Sequence, residues 1–155
     1  MCDYSLYAIP NRLARDGEEV VLHRFGTGSI GFASPEEVKR LEQEQNTGWK
    51  GLWAGVKAML APRKCSGVAA VCMPPGTRLM ITEIPNAAQN KVCFKSLDVV
   101  VFTEISSQSY SYRDALLLPN GTCVLLQELP EGTQAVVLAT ALETFEIPRE
   151  EVYVR

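Results

Sequence analysis

Residues 67–84, GVAAVCMPPGTRLMITEI, decide the fold class that this sequence predicts. They hold two apolar runs separated by Pro74-Pro75-Gly76. Proline fixes φ and lacks an amide donor, and glycine accepts a positive φ, so a turn is expected here rather than a continuing helix. The first run is almost entirely apolar, which is typical of a strand buried on both faces, and the second run alternates. The stretch predicts two strands joined as a central hairpin.

The remainder of the chain predicts more short strands. Pro119-Asn120-Gly121-Thr122 is typical of a tight hairpin turn, and Pro130-Glu131-Gly132 indicates another. Turn signals about every ten residues suggest a small barrel or a sandwich. No internal repeat and no domain boundary are evident. We therefore predict one mainly β domain over residues 1–155, either a small β-barrel or a two-sheet sandwich.

A helical insertion, at about residues 34–62, is expected to interrupt the strands. Ser34-Pro35-Glu36-Glu37 has a cap residue, a proline at the first helical position and a glutamate three residues after the cap. The segment after it, WKGLWAGVKAMLA at residues 49–61, predicts a basic amphipathic helix. Its apolar stripe consists of Trp49, Leu52, Trp53, Val56, Met59 and Leu60.

Composition limits the classes of function. The net charge is −3 and no long basic block occurs, so nucleic acid is an unexpected partner. No apolar run reaches the ~18 residues that span a bilayer, and the N-terminus lacks a secretion-signal layout. The five cysteines form no C-x-x-C pair, so we expect a cytoplasmic protein with reduced, mostly buried thiols.

The motif G-x-G-x-x-G occurs at residues 26–31 after a predicted strand. In a dinucleotide site the helix must begin within that loop, so that its N-terminus meets the pyrophosphate. Here the helix signal begins at Ser34, beyond the third glycine. The motif therefore favours an ordinary glycine-rich hairpin.

Cys2, His23 and Cys72 are the Cys/His set that could bind a metal. Two thiolates and one imidazole suit zinc or another thiophilic transition metal, and they lie on three separate predicted strands. Asp3 or Asp114 could hold the imidazole by accepting its other ring N–H. If Met1 is trimmed, Cys2 could instead act as a nucleophile with its own amine as base, or it could simply be a buried strand residue.

The tryptophan stripe is the strongest interaction signal. Trp and Met on such a stripe make large anchoring contacts with a partner groove or a lipid interface, although the stripe could also cover one end of the barrel. We expect a small binding or accessory module that docks through the stripe onto a protein partner or another copy, with peripheral membrane contact as a further option. No cofactor and no catalytic residue are expected, and the metal-binding protein is the alternative.

Three segments, MCDYSL at the start, AVCMPPGTRL and YRDALLLPNG, resemble those of a group of small uncharacterised bacterial proteins that begin in the same way. The resemblance covers most of the chain except the helical insertion. It implies a bacterial source and carries no activity with it.

Overall fold

The structure is a computed structural model that describes residues 9–47, 67–85, 95–105 and 112–141. Nine strands and one α-helix occupy these ranges, and a short 3-10 helix (Leu126–Glu128) follows the eighth strand. The helix, α1, is Pro35–Thr47. The strands are β1 (Asn11–Leu13), β2 (Glu19–Arg24), β3 (Ile30–Ala33), β4 (Ala70–Cys72), β5 (Arg78–Glu83), β6 (Val99–Glu104), β7 (Asp114–Leu117), β8 (Cys123–Leu125) and β9 (Gln134–Ala139).

The strands form one curled sheet in the order β1-β4-β3-β2-β9-β5-β6-β7-β8, which confirms the mainly β fold with a helical insertion. All neighbours are antiparallel except β1 and β4. The main core lies on the inner face of this half-barrel, and alternate residues of each strand point into it. Its centre is Val20, Leu22, Leu79, Ile81, Val100, Phe102, Leu116, Ala135 and Val137, each at most 2% exposed.

Two local predictions are confirmed. The glycine motif lies in a hairpin between β2 and β3, where Leu22 pairs with Phe32. The helix α1 begins at Pro35, as the cap signal indicated, and ends at Thr47. The second part of the predicted insertion, residues 48–62, lies outside the described residues.

The prediction of a central hairpin was wrong. β4 and β5 are separated by β3, β2 and β9 in the sheet, so the connection at residues 73–77 carries the chain between distant strands. In a flat sheet, β4 and β5 would lie four interstrand spacings of about 4.8 Å apart, which is roughly 19 Å. The connection could span that distance only if it were almost fully extended, at about 3.5 Å per residue. The connection is not extended, because the Thr77 N–H donates to Pro74 O at 3.2 Å. The sheet must therefore curl.

Gln127 fastens the curled sheet at one place. Its side-chain Nε2 donates to Ile30 O at 2.9 Å, and its Oε1 accepts from Ile30 N–H at 3.0 Å. The amide therefore pairs with the start of β3 as a neighbouring strand would. Gln127 follows β8, at the opposite end of the sheet order, so these two bonds join the halves across the curl.

Eight of the nine strands form two halves with equivalent pairing, and β1 belongs to neither half. Half A is β2, β3, β4 and β5, and half B is β6, β7, β8 and β9. Leu22 pairs with Phe32 in half A as Phe102 pairs with Leu116 in half B. The last strand of each half pairs with the first strand of the other half, so that β5 pairs with β6 and β9 pairs with β2. The two crossing strands meet at the centre, where Met80 lies opposite Val136.

The turns before the crossing strands share their hydrogen bonds. Gly76 N–H donates to Phe102 O, and Gly132 N–H donates to Leu22 O, both at 2.8 Å. Both glycines have positive φ, 95° and 86°. A Pro-x-Gly-Thr sequence precedes each strand, at residues 74–77 and 130–133. The two halves correspond in their strand pairing and in this turn, and the expectation of no internal repeat in the sequence stays a prediction.

The halves differ most in one connection. Between β3 and β4, half A has residues 34–69, which include α1 and the predicted tryptophan stripe. The equivalent connection in half B, between β7 and β8, is the turn at residues 118–122. There the Leu118 N–H donates to Thr122 O at 2.8 Å. Half B shows that the strands need only a five-residue turn here, so the helical insertion is an addition to the scaffold.

Candidate functional site: the cleft beside helix α1

A cleft of about 490 Å³ lies between α1 and the outer face of β2 and β9. The helix supplies one wall, and the strands and the turn before β9 supply the other. Its lining residues are Val21, Leu22, His23, Pro35, Val38, Lys39, Leu41, Glu42, Glu131, Gly132 and Gln134. Apolar walls with a few polar groups are typical of a ligand cleft.

The helix is held on the sheet beside this cleft by a small second core. Val38 and Leu41 pack against Ile9, Phe25, Ala33, Val68 and Ala70.

A polar contact adds to that core, since Glu37 Oε2 accepts the Ala69 N–H at 2.9 Å. Ala33 and Ala70 are small and directly paired, and both belong to this second core. The helix also approaches β2, and the cleft lies between them and the turn before β9.

His23 is the one histidine of the chain and lies on the outer face of β2. Its ring stacks edge-on against Phe25, with centroids 5.1 Å apart and planes at 83°. Its Nδ1 lies 3.6 Å from Glu131 Oε1. Burial lowers the pKa of His23, and the charges of Glu131 and Glu42 only partly oppose that effect. The imidazole is therefore neutral at pH 7.

Glu131 is fixed beside the histidine by the backbone. Its Oε1 accepts the Arg24 N–H at 2.9 Å, and its Oε2 lies 3.8 Å from Arg24 Nε. A carboxylate near Nδ1 favours the tautomer with the proton on that nitrogen, which leaves Nε2 as an acceptor. Such a pair can bind a hydrogen-bond donor or accept one proton. The cleft lining in the described residues includes no Ser, Thr or Cys that could serve as a nucleophile.

The three predicted metal ligands do not share one described site. His23 lines the cleft, and Cys2 lies outside the described residues. Cys72 is buried at the end of β4 and is disulfide-bonded, which differs from the reduced state expected for the cysteines. In that state it has no thiolate for a metal. The other described cysteine, Cys123, is free and exposed.

Among the described residues, no three His, Cys, Asp or Glu side chains form a group that could hold a metal ion. The carboxylate beside the imidazole is Glu131, whereas the expected candidate Asp114 lies on β7, and Asp3 is outside the described residues. Because Cys2 cannot be placed, the metal site remains a prediction.

The stripe residues also remain predictions. Residues 49–60 lie outside the described ranges, which applies to Trp49, Leu52, Trp53, Val56, Met59 and Leu60.

Sequence reasoning missed the other polar residues of the cleft, which are Glu131, Glu42, Lys39 and Gln134. Glu131 is 108 positions from His23 in the sequence. Its proline and glycine neighbours predict a turn but not a contact with the histidine. No local pattern signals that contact, because it depends on β9 crossing to pair with β2.

Comparison of the chain with protein-family models, with curated proteins and with solved structures gives no match in any of the three. Among the described residues, no helix is long and apolar enough to cross a membrane.

Proposed function

We propose that the protein is a small binding module that docks onto a partner through the apolar stripe of its helical insertion. The observation that carries the proposal is the one-sided insertion. Half B connects its equivalent strands with a five-residue turn, so the 36 residues between β3 and β4 are not required to join them. We attribute this addition to an interaction, since large aromatic and Met side chains dominate binding energy at interfaces.

The base of the insertion supports docking from a fixed position. The stripe-bearing segment follows α1 in the sequence and precedes Gly67. Gly67 lines a small cavity of about 220 Å³ with Arg40 and Glu44 of α1. The last part of α1 and Gly67, which flank the stripe-bearing segment in the sequence, therefore lie near each other, which limits the freedom lost on binding.

Trp53→Ala tests this proposal. Truncation of a central interface tryptophan costs 2 kcal/mol or more, so we expect association to weaken by about thirtyfold while the fold remains intact. Association would be measured against partners co-purified from the native cells, against another copy by sedimentation, and against lipid vesicles. Glu36→Ala, an exposed change on α1, is the matched control. If Trp53 is shielded from solvent quenchers in the monomer and Trp53→Ala unfolds, the stripe is core and the proposal fails.

The alternative proposal is a metal-binding protein with Cys2, His23 and Cys72 as ligands. The neutral, largely buried imidazole of His23 supports it, because a metal requires the deprotonated ring. Metal analysis of protein purified under reducing conditions is the test. A stoichiometric metal lost in both His23→Ala and Cys72→Ala supports the alternative, and metal-free reduced protein contradicts it.

A further inference from the structure

The cleft beside α1 has more hydrogen-bond acceptors than donors. His23 Nε2, the Glu42 carboxylate and the Gln134 side-chain oxygen are acceptors among its lining groups. Gln134 Nε2 already donates to Glu83 Oε2 at 2.7 Å, which leaves the Oε1 of that amide for another donor. Among the described lining side chains, only Lys39 is purely a donor. The cleft therefore suits a ligand that donates hydrogen bonds.

His23 offers the most enclosed of these acceptors. Its side chain is 13% exposed, and its contacts within the described ranges are the Phe25 ring and the Glu131 carboxylate. The contact with Glu131 is made by Nδ1, so Nε2 is the nitrogen that remains for a ligand. An acceptor that loses water without gaining a donor is costly, so a ligand that fills the cleft beside this ring must donate to it.

The charges around the imidazole favour a cation. Burial lowers the pKa of His23, while Glu131 and Glu42 raise it, so negative charge from the turn before β9 and from α1 reaches the ring. Because burial outweighs them, the ring is not itself the cation that these carboxylates attract. Arg24 lies beside Glu131, with its Nε 3.8 Å from Oε2. Glu42 is exposed and forms no ion pair with any residue that the structure describes, so a cationic ligand would supply its counter-charge.

The rest of the cleft lining includes an apolar wall on each side. Val21 lies on the β2 side, and Pro35, Val38 and Leu41 lie on the α1 side. The volume of about 490 Å³ falls within the range of small-molecule sites, about 300–1,000 Å³. An inorganic cation would leave these walls in contact with water, so the ligand that fits also has a hydrocarbon part.

We propose that the cleft binds a small organic amine as its ammonium, with the hydrocarbon part of the amine against the apolar walls. A primary ammonium has three N–H donors and no acceptor, which matches the three acceptors of His23, Glu42 and Gln134. Every residue that the proposal uses lies in the described ranges. The proposal depends neither on the tryptophan stripe nor on a metal at Cys2, so it can fail or hold without either of them.

The experiment follows the ring signals of His23 by NMR, which are unambiguous in protein without a histidine tag because the chain has one histidine. The probe is phenethylamine, added at pH 7 with a chelator present. The control probe is phenylpropionate, which has the same ring and chain but carries a carboxylate in place of the ammonium. We expect phenethylamine to shift the ring signals with half-saturation at about 1 mM or below, and phenylpropionate to leave them unchanged.

Three exposed positions on α1 locate the ligand. Glu42→Gln should weaken phenethylamine binding about threefold to fivefold, because it removes a carboxylate beside the ammonium. Lys39→Gln should strengthen binding about twofold, because it removes a like charge from the cleft lining. Glu36→Gln, on the same helix but outside the lining, is the matched control and should change binding less than twofold. Equal weakening in Glu36→Gln and Glu42→Gln, or weakening in Lys39→Gln, overturns the proposal.

The titration of His23 gives a second readout. An ammonium beside the ring disfavours the imidazolium, so saturating phenethylamine should lower the pKa of His23 further. The charged groups around the ring, Glu131, Arg24, Glu42 and Lys39, are the same with and without the amine, so the change belongs to the ligand. No shift of the ring signals at about 10 mM phenethylamine, an equal shift with phenylpropionate, or a raised pKa of His23 overturns the proposal.

Discussion

Leu97 has a backbone conformation that usually belongs to glycine. Its φ is 73°, and its side chain is 71% exposed. The equivalent residue of half A is Gly17, with φ 76°. Leu97 N–H donates to Ile81 O at 2.6 Å, as Gly17 N–H donates to Val137 O at 2.7 Å. The left-handed conformation costs a leucine about 1–2 kcal/mol, and little burial compensates for it here.

Leu97→Gly should therefore raise the free energy of unfolding by about 0.5–1 kcal/mol, after the entropy that glycine adds to the unfolded chain. Urea denaturation measures the change. The matched control is Leu138→Gly, at a 42% exposed leucine in the extended β9, which should lower stability by a similar amount. Loss of stability in Leu97→Gly would show that the leucine side chain makes a stabilising contact.

His23 predicts how stability depends on pH. Its pKa is lowered in the folded protein by burial, so the unfolded chain binds a proton more readily. The contribution of His23 is fully present above the unfolded pKa of about 6.5, and it is lost as the pH falls through the folded value.

We expect the free energy of unfolding to fall between about pH 7 and pH 5, and to fall less in His23→Gln. Urea titrations at several pH values provide the measurement. Glu18 also has a lowered pKa, because the hydrogen bonds from the Arg12 side chain and the Arg15 N–H outweigh its burial. Its contribution to protein stability is lost only when the pH falls below the ordinary pKa range of a carboxylate, so it does not affect this pH window. An unchanged pH dependence in His23→Gln would contradict the account of the buried imidazole.

At the scale of elements, the Gln127 amide joins the 3-10 helix to β3 with two hydrogen bonds. Gln127→Ala leaves both Ile30 backbone groups without this partner and should lower stability by about 1–3 kcal/mol. Gln127→Glu should not restore it, since a carboxylate can accept from the Ile30 N–H but cannot donate to its carbonyl. Thermal unfolding checks both variants.

The matched control for Gln127 is Gln134→Ala. Gln134 Nε2 donates to Glu83 Oε2 at 2.7 Å, but that bond is exposed, so its loss should change stability by no more than about 0.5 kcal/mol. Equal effects at the two glutamines would show that Gln127 contributes nothing to closing the curl.

Local elements of this fold could be predicted from the sequence, and their arrangement could not. The start of α1 and the β2–β3 hairpin are encoded by caps and glycines within a few residues, and the structure has both. The Pro74-Pro75-Gly76 turn was correctly placed, but the partners of the strands around it were not. Those partners depend on β5 and β9 crossing between halves, which pairs residues far apart in sequence.

The candidate site could likewise be predicted from the sequence only in part. His23 could be singled out because it is the one histidine. Its neighbours Glu131 and Glu42 come from the turn before β9 and from α1, and neither carries a signal of its own. The cleft forms where α1 lies beside β2 and the turn before β9, an arrangement that the sequence pattern does not specify.

For the whole molecule, the curled sheet is the scaffold and the insertion is a separable addition to it. Its centre is the β5–β9 pair, where Leu79 lies opposite Val137 and Ile81 opposite Ala135, all buried. Strands with this burial should open only by global unfolding, so their amides report the stability of the whole scaffold.

Hydrogen exchange of β5 and β9 therefore tests this claim most directly. It would be compared between the native chain and a variant in which a short Gly/Ser linker replaces residues 48–62, which keeps α1 and every cysteine. We predict that the amides of Leu79, Ile81, Ala135 and Val137 are the slowest in both proteins, with rates within about threefold. Loss of that protection across both halves of the variant would show that the insertion is part of the scaffold, and would contradict the account.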